Sequence, residues 1–299
     1  MEKNHSLMTP CDKYKPVGRL APSPTGFLHI GNIRSFLLGW LDIRARNGVL
    51  KLRVEDLDKA RISFQRTQDL VDDLAWLGID FDDEIVVQSE RFPIYEDAIK
   101  TLLKKGFAYP CTCTRKEIEL AASAPHLSDG AQVYPKTCLN RYKDIEEAAL
   151  VSGRSPAVRF KMPCKKICFQ DGFCGDSFYD GAELSDFPIC KADGTPAYQL
   201  AVVIDDSAMG VTEVLRGDDL LESTARQLAL FEAFGMSPPL YKHVPLVVDP
   251  KGRRLAKRKN SVCLNQLRVG NINPQEVVGW LGWKSGLLNS FIPCTPYEL

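Results

Sequence analysis

Three groups of residues in this chain have types and spacings that could do chemistry. The first lies in the stretch from Gly18 to Asn32, GRLAPSPTGFLHIGN, where His29, Gly31 and Asn32 follow a proline-stiffened loop and open a helical pattern. A strand, a rigid loop and a helix N-terminus make a pocket whose backbone N–H groups and dipole favour anions. A histidine there can donate to a phosphate oxygen, and Gly31 leaves room for a flat ring against the backbone. The letters HIGN alone also fit a histidine beside an ordinary helix cap. The second group is the cationic run Gly252–Lys259, with Arg253, Arg254, Lys257, Arg258 and Lys259. It reads as an anion-following loop or as solvated surface. The third is Cys111, Cys113 and Cys138, with Tyr134 four residues before the last. C-x-C is tighter than the usual zinc-finger spacing, so these residues fit either a metal site or buried free thiols. Cys164, Cys168, Cys174 and Cys190 show no ligand spacing and read as ordinary thiols.

Elements must hold these groups in place. Ile33, Phe36, Leu37, Trp40 and Leu41 fall on one helical face, which Asn47-Gly48 ends. Leu50, Leu52 and Val54 alternate with Lys51 and Arg53 as a strand that runs into Glu55 and Asp56. Such carboxylates fit the ligand-binding edge of an α/β sheet, or a solvated turn. Helices are expected near Thr67–Leu77 and Ile94–Lys105, the second closed by Gly106. This βαβα alternation predicts a parallel sheet flanked by helices. Thr114 and Glu117 form a capping box that starts a short helix. Val158, Phe160 and Met162 suggest a strand. Tyr198–Asp206 reads as a buried parallel strand ending in carboxylates, and Val211–Leu215 as a second strand ending before Arg216. A helix from Ser223 or Thr224 to Phe234, a strand Val244–Val248 and a last helix over about 274–283 complete the pattern.

Composition sets the bounds. Lys+Arg and Asp+Glu both number 38, so the net charge is zero and any RNA contact must be a local patch. Residues 1–16 lack the apolar core of a signal peptide, and no apolar run approaches the roughly 20 residues that span a bilayer. Ten cysteines without an export signal argue for reduced thiols. No membrane association is expected, no obligate protein partner is implied, and cytoplasm is the simplest location.

Taken whole, Gly18–Asn32 closely resembles the HIGH signature region of class I aminoacyl-tRNA synthetases, in the glutamyl branch. The resemblance runs over roughly residues 17–283, through APSPTG, YQLAVVIDD and VLRGDDLLEST. It implies a Rossmann-type α/β catalytic core with a small zinc-bearing α+β insertion. The divisions it suggests are an N-terminal tail (1–16), a first half-core (17–108), an inserted zinc-binding, acceptor-type subdomain (109–190), a second half-core (191–265) and a short helical end (266–299). It implies glutamate binding by Arg19, Leu20, Ala21, Pro22, Ser23, Glu55, Tyr198 and Arg216. A substrate with two carboxylates asks for two cations, and an arginine fork binds carboxylate bidentately. Glu55 would pair with the α-ammonium, and Tyr198 would supply a hydroxyl and a ring wall. ATP binding falls to His29, Gly31, Asn32 and Lys257, with His29 and Lys257 as the catalytic pair and Mg²⁺ expected with ATP. Asn32 stands where the motif has its second histidine. Arg254-Leu255-Ala256-Lys257-Arg258 looks like the KMSKS loop, with Lys257 in the place of the second lysine. Arg254, Leu255 and Ala256 depart from that motif, and Ala256 removes a hydroxyl. A preorganised donor to developing phosphate charge is typically worth about 3–4 kcal/mol.

Cys111, Cys113, Tyr134 and Cys138 resemble the zinc site of glutamyl-queuosine tRNA(Asp) synthetases, a family of short paralogues of glutamyl-tRNA synthetase. A tyrosine ligand must largely surrender its proton, so His126 or water stands as the alternative fourth ligand. About 40 residues follow the Lys257 loop, too few for a helical anticodon-binding domain. The resemblance therefore implies tRNA-independent activation of L-glutamate with ATP, then transfer to queuosine in the anticodon loop of tRNA(Asp). The competing expectations are a truncated glutamyl-tRNA synthetase charging tRNA(Glu), and a non-catalytic zinc/RNA-binding module on the same fold.

Overall fold

The structure is a computed structural model that describes residues 15–24, 26–58, 64–121, 134–248 and 262–299. The strands are β1 (Val17–Leu20), β2 (Val49–Val54), β3 (Asp82–Val87), β4 (Ala108–Cys111), β5 (Ala157–Phe160), β6 (Lys166–Asp171), β7 (Gly175–Asp180), β8 (Phe187–Cys190), β9 (Glu213–Gly217) and β10 (Leu240–Val244). The helices are α1 (Ile30–Arg44), α2 (Phe64–Leu77), α3 (Phe92–Lys104), α4 (Arg115–Ala121), α5 (Ile145–Ser152), α6 (Gly181–Leu184), α7 (Tyr198–Ala208), α8 (Leu221–Phe234), α9 (Leu264–Val269) and α10 (Pro274–Lys284). Among the described residues no helix is long and apolar enough to cross a membrane.

The α/β core forms as the alternation predicts. β2 pairs in parallel with β1 and with β3, and β9 pairs in parallel with β10. Thr212 joins the two groups: its N–H donates to the Val17 carbonyl at 2.8 Å, and its hydroxyl accepts the Val17 N–H at 2.9 Å. Reading across, the strands run β3-β2-β1-β9-β10, and the order reverses between β1 and β9. Parallel sheets open a crevice at the carboxyl ends of the strands that flank such a reversal. α1 crosses above it because Ile33, Leu37, Trp40 and Ile43 form one buried stripe. Its return to β2 is tight at Gly48, where a Cβ would lie 2.6 Å from the Pro16 carbonyl and 2.7 Å from Ile43.

Between β4 and β8 the pairing turns antiparallel. β4, β5 and β8 make one small sheet, and β6 and β7 make a hairpin. Val158, Phe160 and Ile189 of that sheet share a core with Leu200 and Val203 of α7 and Leu230 of α8. A separate small cluster gathers Tyr109, Cys111, Ile118, Tyr134 and Cys138. The expected capping box opens α4: the Glu117 carboxylate accepts the Thr114 N–H at 2.6 Å, and Thr114 Oγ1 accepts the Glu117 N–H at 3.2 Å.

Two assignments made from the sequence are corrected. Tyr198–Asp206 is not a strand but most of α7, buried from Leu200 to Asp206. An apolar run closed in on all sides lacks the polar stripe that marks a helix, and Val202, Val203 and Ile204 favour strand locally. Tertiary burial decides otherwise. The late strand is Leu240–Val244, not Val244–Val248. Pro245 has no N–H for the ladder, and its carbonyl instead accepts from Arg34 at 2.7 Å.

Candidate active site

The carboxyl ends of β1 and β9 deliver Arg19 and Arg216 to the reversal point. The start of α1 delivers His29, Gly31 and Asn32 to the same place. With Ala21, Gly217, Leu246 and Val247 they line a cavity of about 200 Å³. His29 is the N-cap of α1 and is half-buried, at φ −107° and ψ 160°. The flanking Ile30 N–H donates to the Val262 carbonyl at 3.2 Å, and the Leu264 N–H donates to the Leu28 carbonyl at 2.8 Å. Lys257 and the rest of the cationic run lie outside the described residues. The chain resumes from that run bonded directly beside His29.

Arg216 is 5 % exposed. Its Nε donates to His243 Nε2 at 3.0 Å, and its Nη2 donates to Thr224 Oγ1 at 2.7 Å and Gln227 Oε1 at 3.0 Å. Its guanidinium carbon lies 5.1 Å from the centroid of the Tyr241 ring. Every one of these acceptors is neutral, and among the described residues the buried Nη1 has no partner. A buried cation without a counter-charge is costly. An anion arriving at Nη1 would relieve it. Burial depresses the Arg19 guanidinium, and the neighbouring cations Arg53 and Arg216 depress it further, against the opposing charge of Asp206. The cavity lining thus sets two arginines, Arg19 and Arg216, against the carboxylate of Asp219.

Behind it stands a second layer. Arg53, wholly buried on β2, binds Asp206 and donates to Glu55 Oε1 at 3.1 Å, and its Nε lies 3.9 Å from Asp205 Oδ2. Arg19 Nε is 3.5 Å from Asp206 Oδ1. Asp205 also accepts from Arg91 at 2.7 Å, Gln88 at 2.8 Å and Tyr95 at 2.8 Å. Burial works against the charge on Arg53, but Asp206, Glu55 and Asp205 outweigh it and hold the group cationic. Burial raises the Glu55 carboxyl, with Arg53 and Arg19 pulling the other way.

The other expected residues are placed as follows. The Glu55 N–H donates to the Pro22 carbonyl at 2.9 Å, which folds the loop after β1 against Glu55. Ser23 is exposed, and the Leu20 side chain lies in the core, so Leu20 offers the site only its backbone. Tyr198 lines a neighbouring cleft of about 380 Å³ with Tyr134 and Arg159. Burial pushes its phenol up, Glu55 reinforces this, and Arg216 and Arg19 oppose it. Its hydroxyl thus feels both arginines of the first cavity.

Arg53, Asp171, Thr224, Gln227, Tyr241 and His243 were not picked out from the sequence. An arginine inside a strand pattern reads as its solvent face, and a lone histidine two residues before a proline carries no motif. One signal was available: YQLAVVIDD ends in two carboxylates inside an apolar run, which demands buried cations to match.

His243 yields a prediction. Burial and Arg216 push it down to about 4, against the pull of Asp171. Between about 4 and the ordinary value near 6.5, the unfolded chain binds a proton that the folded chain refuses. This contribution is complete above about 6.5 and lost as pH falls toward 4, at about 3 kcal/mol over the window. Urea midpoints of the wild type should fall more steeply from pH 7 to pH 4.5 than those of His243→Gln. Parallel curves would contradict a neutral buried imidazole.

A third group lies in the small cluster. Cys111, Cys113 and Cys138 place their sulfurs within 4.8 Å of one another, a set that could hold a metal ion. The Tyr134 oxygen is 3.3 Å from Cys111 Sγ and 3.7 Å from Cys113 Sγ, and it accepts the Cys138 N–H at 2.9 Å. Despite burial, hydrogen bonds from Thr112, Tyr134 and Cys113 hold the Cys138 thiol down at about 7. Arg159 Nε donates to Cys111 Sγ at 3.2 Å, and its guanidinium sits 3.8 Å from the Tyr134 ring centroid.

Comparison with known proteins extends this geometry. The model for the catalytic domain of class I tRNA synthetases (E and Q) matches residues 16–292. The glutamyl-Q tRNA(Asp) synthetase of Symbiobacterium thermophilum is 42% identical over 291 residues, covering 94% of this chain and 90% of that protein. Its counterpart in Rhodopirellula baltica is 45% identical over 283 residues, covering 91% and 85%. Glutamate–tRNA ligase 1 of Nitrosococcus oceani is 37% identical, covering 90% of this chain but 57% of its own length. A crystal structure of a glutamate tRNA ligase from Elizabethkingia meningosepticum, in complex with its amino acid, superposes with a TM-score of 0.77 at 28% identity, over 90% of this chain and 60% of that one.

Proposed function

Since this chain belongs to the class I tRNA synthetases of the glutamate and glutamine group, we propose that it activates L-glutamate with ATP and passes it to queuosine in tRNA(Asp). The observation that carries the reading is Arg216, a buried cation on the cavity that His29 also lines, with only neutral acceptors and an Nη1 unpartnered among the described residues. Identities of 42–45% to two synthetases of the glutamyl-Q type, against 37% to a glutamate–tRNA ligase, favour that acceptor. Arg19 and Arg216 hold the carboxylates, Glu55 takes the ammonium, and Tyr198 walls the side chain. The α-carboxylate oxygen attacks the α-phosphorus of Mg²⁺-bound ATP and pyrophosphate leaves. His29, Gly31 and Asn32 cradle the phosphates at the helix N-terminus, and Lys257 follows the developing charge. A hydroxyl of the queuosine cyclopentenediol then attacks the acyl carbon and AMP departs. The half-cores 17–108 and 191–265 bear this chemistry, and 109–190 bears the metal site.

The test is glutamate-dependent ATP–pyrophosphate exchange without tRNA, followed by transfer of labelled glutamate to queuosine-containing tRNA(Asp). Exchange without tRNA and labelling of that tRNA alone are expected. Exchange that needs tRNA(Glu), with label on its 3′ end, would make the protein a charging enzyme. No exchange at all would leave a binding module.

The residues fit zinc. Four zinc ligands at about 2.0–2.3 Å stand about 3.5–3.8 Å apart on a tetrahedron, and the Cys113–Cys138 and Tyr134 separations are 3.3–3.7 Å. Burial and the Cys111 contact push the Tyr134 phenol up, with the Cys138 N–H pulling the other way, so the charge of the metal would have to draw off its proton. Bound zinc would supply a structural cross-link. Arg159 offsets the negative charge of the thiolates. Purified protein should contain one zinc per chain, and Cys138→Ser should lose it and melt lower. Metal-free wild type of unchanged melting temperature would refute the site.

A further inference from the structure

Arg216 is held from behind by a group that the proposed reaction does not use. His243, on β10, is wholly buried, and its Nδ1 lies 2.6 Å from Asp171 Oδ2. Asp171 sits at the end of β6, in the turn of the β6–β7 hairpin. Its Oδ1 accepts the N–H groups of Phe173 and Cys174, both at 2.9 Å, and of His243 at 3.0 Å. The Gly172 N–H donates to the Tyr241 carbonyl at 2.8 Å, so the hairpin turn is fastened along β10.

These contacts fix the imidazole tautomer. An arginine has no acceptor, so Arg216 Nε must donate to His243, and Nε2 must present a lone pair. The ring proton is then on Nδ1 and is donated to Asp171, which must be ionised to receive it beside three backbone N–H groups. Burial works against that charge, but the bonds from Cys174, His243 and Phe173 outweigh it and keep Asp171 below the usual carboxylate range. With Nε occupied by His243 and Nη2 by Thr224 and Gln227, Nη1 is the one nitrogen of the fork without a partner among the described residues.

We infer that Asp171 and His243 form a positioning relay that holds the Arg216 fork in its substrate-binding orientation, so that the β6–β7 hairpin sets amino-acid affinity in the catalytic core. The relay acts on the carboxylate of a dicarboxylic amino acid, and it rests on the reading of Arg216 as a glutamate ligand. A second-layer bond of this kind keeps the arginine from turning to another acceptor, and its loss weakens binding more than it slows chemistry.

The experiment measures glutamate KM, ATP KM and kcat in pyrophosphate exchange for His243→Gln, His243→Asn and Asp171→Asn. A glutamine can place its carbonyl oxygen where Nε2 stands, whereas an asparagine reaches only the Nδ1 position. His243→Asn and Asp171→Asn should raise glutamate KM about tenfold or more, with ATP KM and kcat within about threefold. His243→Gln should recover most of the affinity. Nitrogen-15 spectra of the wild type, read at neutral pH, should show His243 protonated at Nδ1 alone. Equal behaviour of the glutamine and asparagine variants, or a proton on Nε2, would overturn the relay. If Arg216→Met itself leaves glutamate KM unchanged, the ligand reading fails instead.

Discussion

Arg216→Met should lower kcat/KM for glutamate about a thousandfold in pyrophosphate exchange, while ATP KM stays near the wild-type value. Leaving a buried charge without its partner costs about 3–5 kcal/mol, and a bound carboxylate in this cavity would lose a fork whose Nη1 has no other partner among the described residues. Arg216→Lys should recover only part of the loss, because a point charge cannot engage Thr224, Gln227, His243 and a carboxylate together. The same substitution removes hydrogen bonds that tie β9 to α8 and β10, so thermal melts must accompany the kinetics. A folded Arg216→Met protein with unchanged glutamate kinetics would end the case for this residue as a ligand.

The second large effect concerns stability. Arg53→Met strips the nearer cation from Asp206, which keeps only Arg19 at 3.5 Å, takes the bonded cation from Glu55, and weakens the field on Asp205, which keeps Arg91. Buried carboxylates stranded in this way cost about 3–5 kcal/mol, a large part of a typical domain stability of about 5–15 kcal/mol. The melting temperature should drop by about 5–8 °C. Substituting Arg53 and Glu55 together with apolar residues of similar volume should restore part of the loss, since Asp206 then keeps Arg19 and Asp205 keeps Arg91. A wild-type melting curve for Arg53→Met would show that the carboxylates are satisfied elsewhere.

Both effects spring from a single design. β1, β2 and β9 each end in an arginine or a residue beside one, and α7 brings two carboxylates beneath them. The rear layer is neutralised by Asp205, Asp206 and Glu55, and the front cation is left to the ligand. That division keeps the site folded without substrate and still short of a counter-charge for it.

The amino-acid sequence by itself determined the α/β class, the helix that follows His29, the Thr114–Glu117 cap, and the cysteine set. It also singled out Arg19 and Arg216 through their flanking motifs. Each of these is either local in its physics, as a cap or an amphipathic face is, or spelled as a contiguous string. Tertiary structure alone decided that Tyr198–Asp206 is a helix, because burial on all sides erases the periodicity that separates helix from strand. It alone brought Asp171 to His243, 72 residues away, and Arg53 to Asp206, 153 residues away. Those pairings rest on matching buried charges and donors in space, and single residues at such separations leave no pattern along the chain.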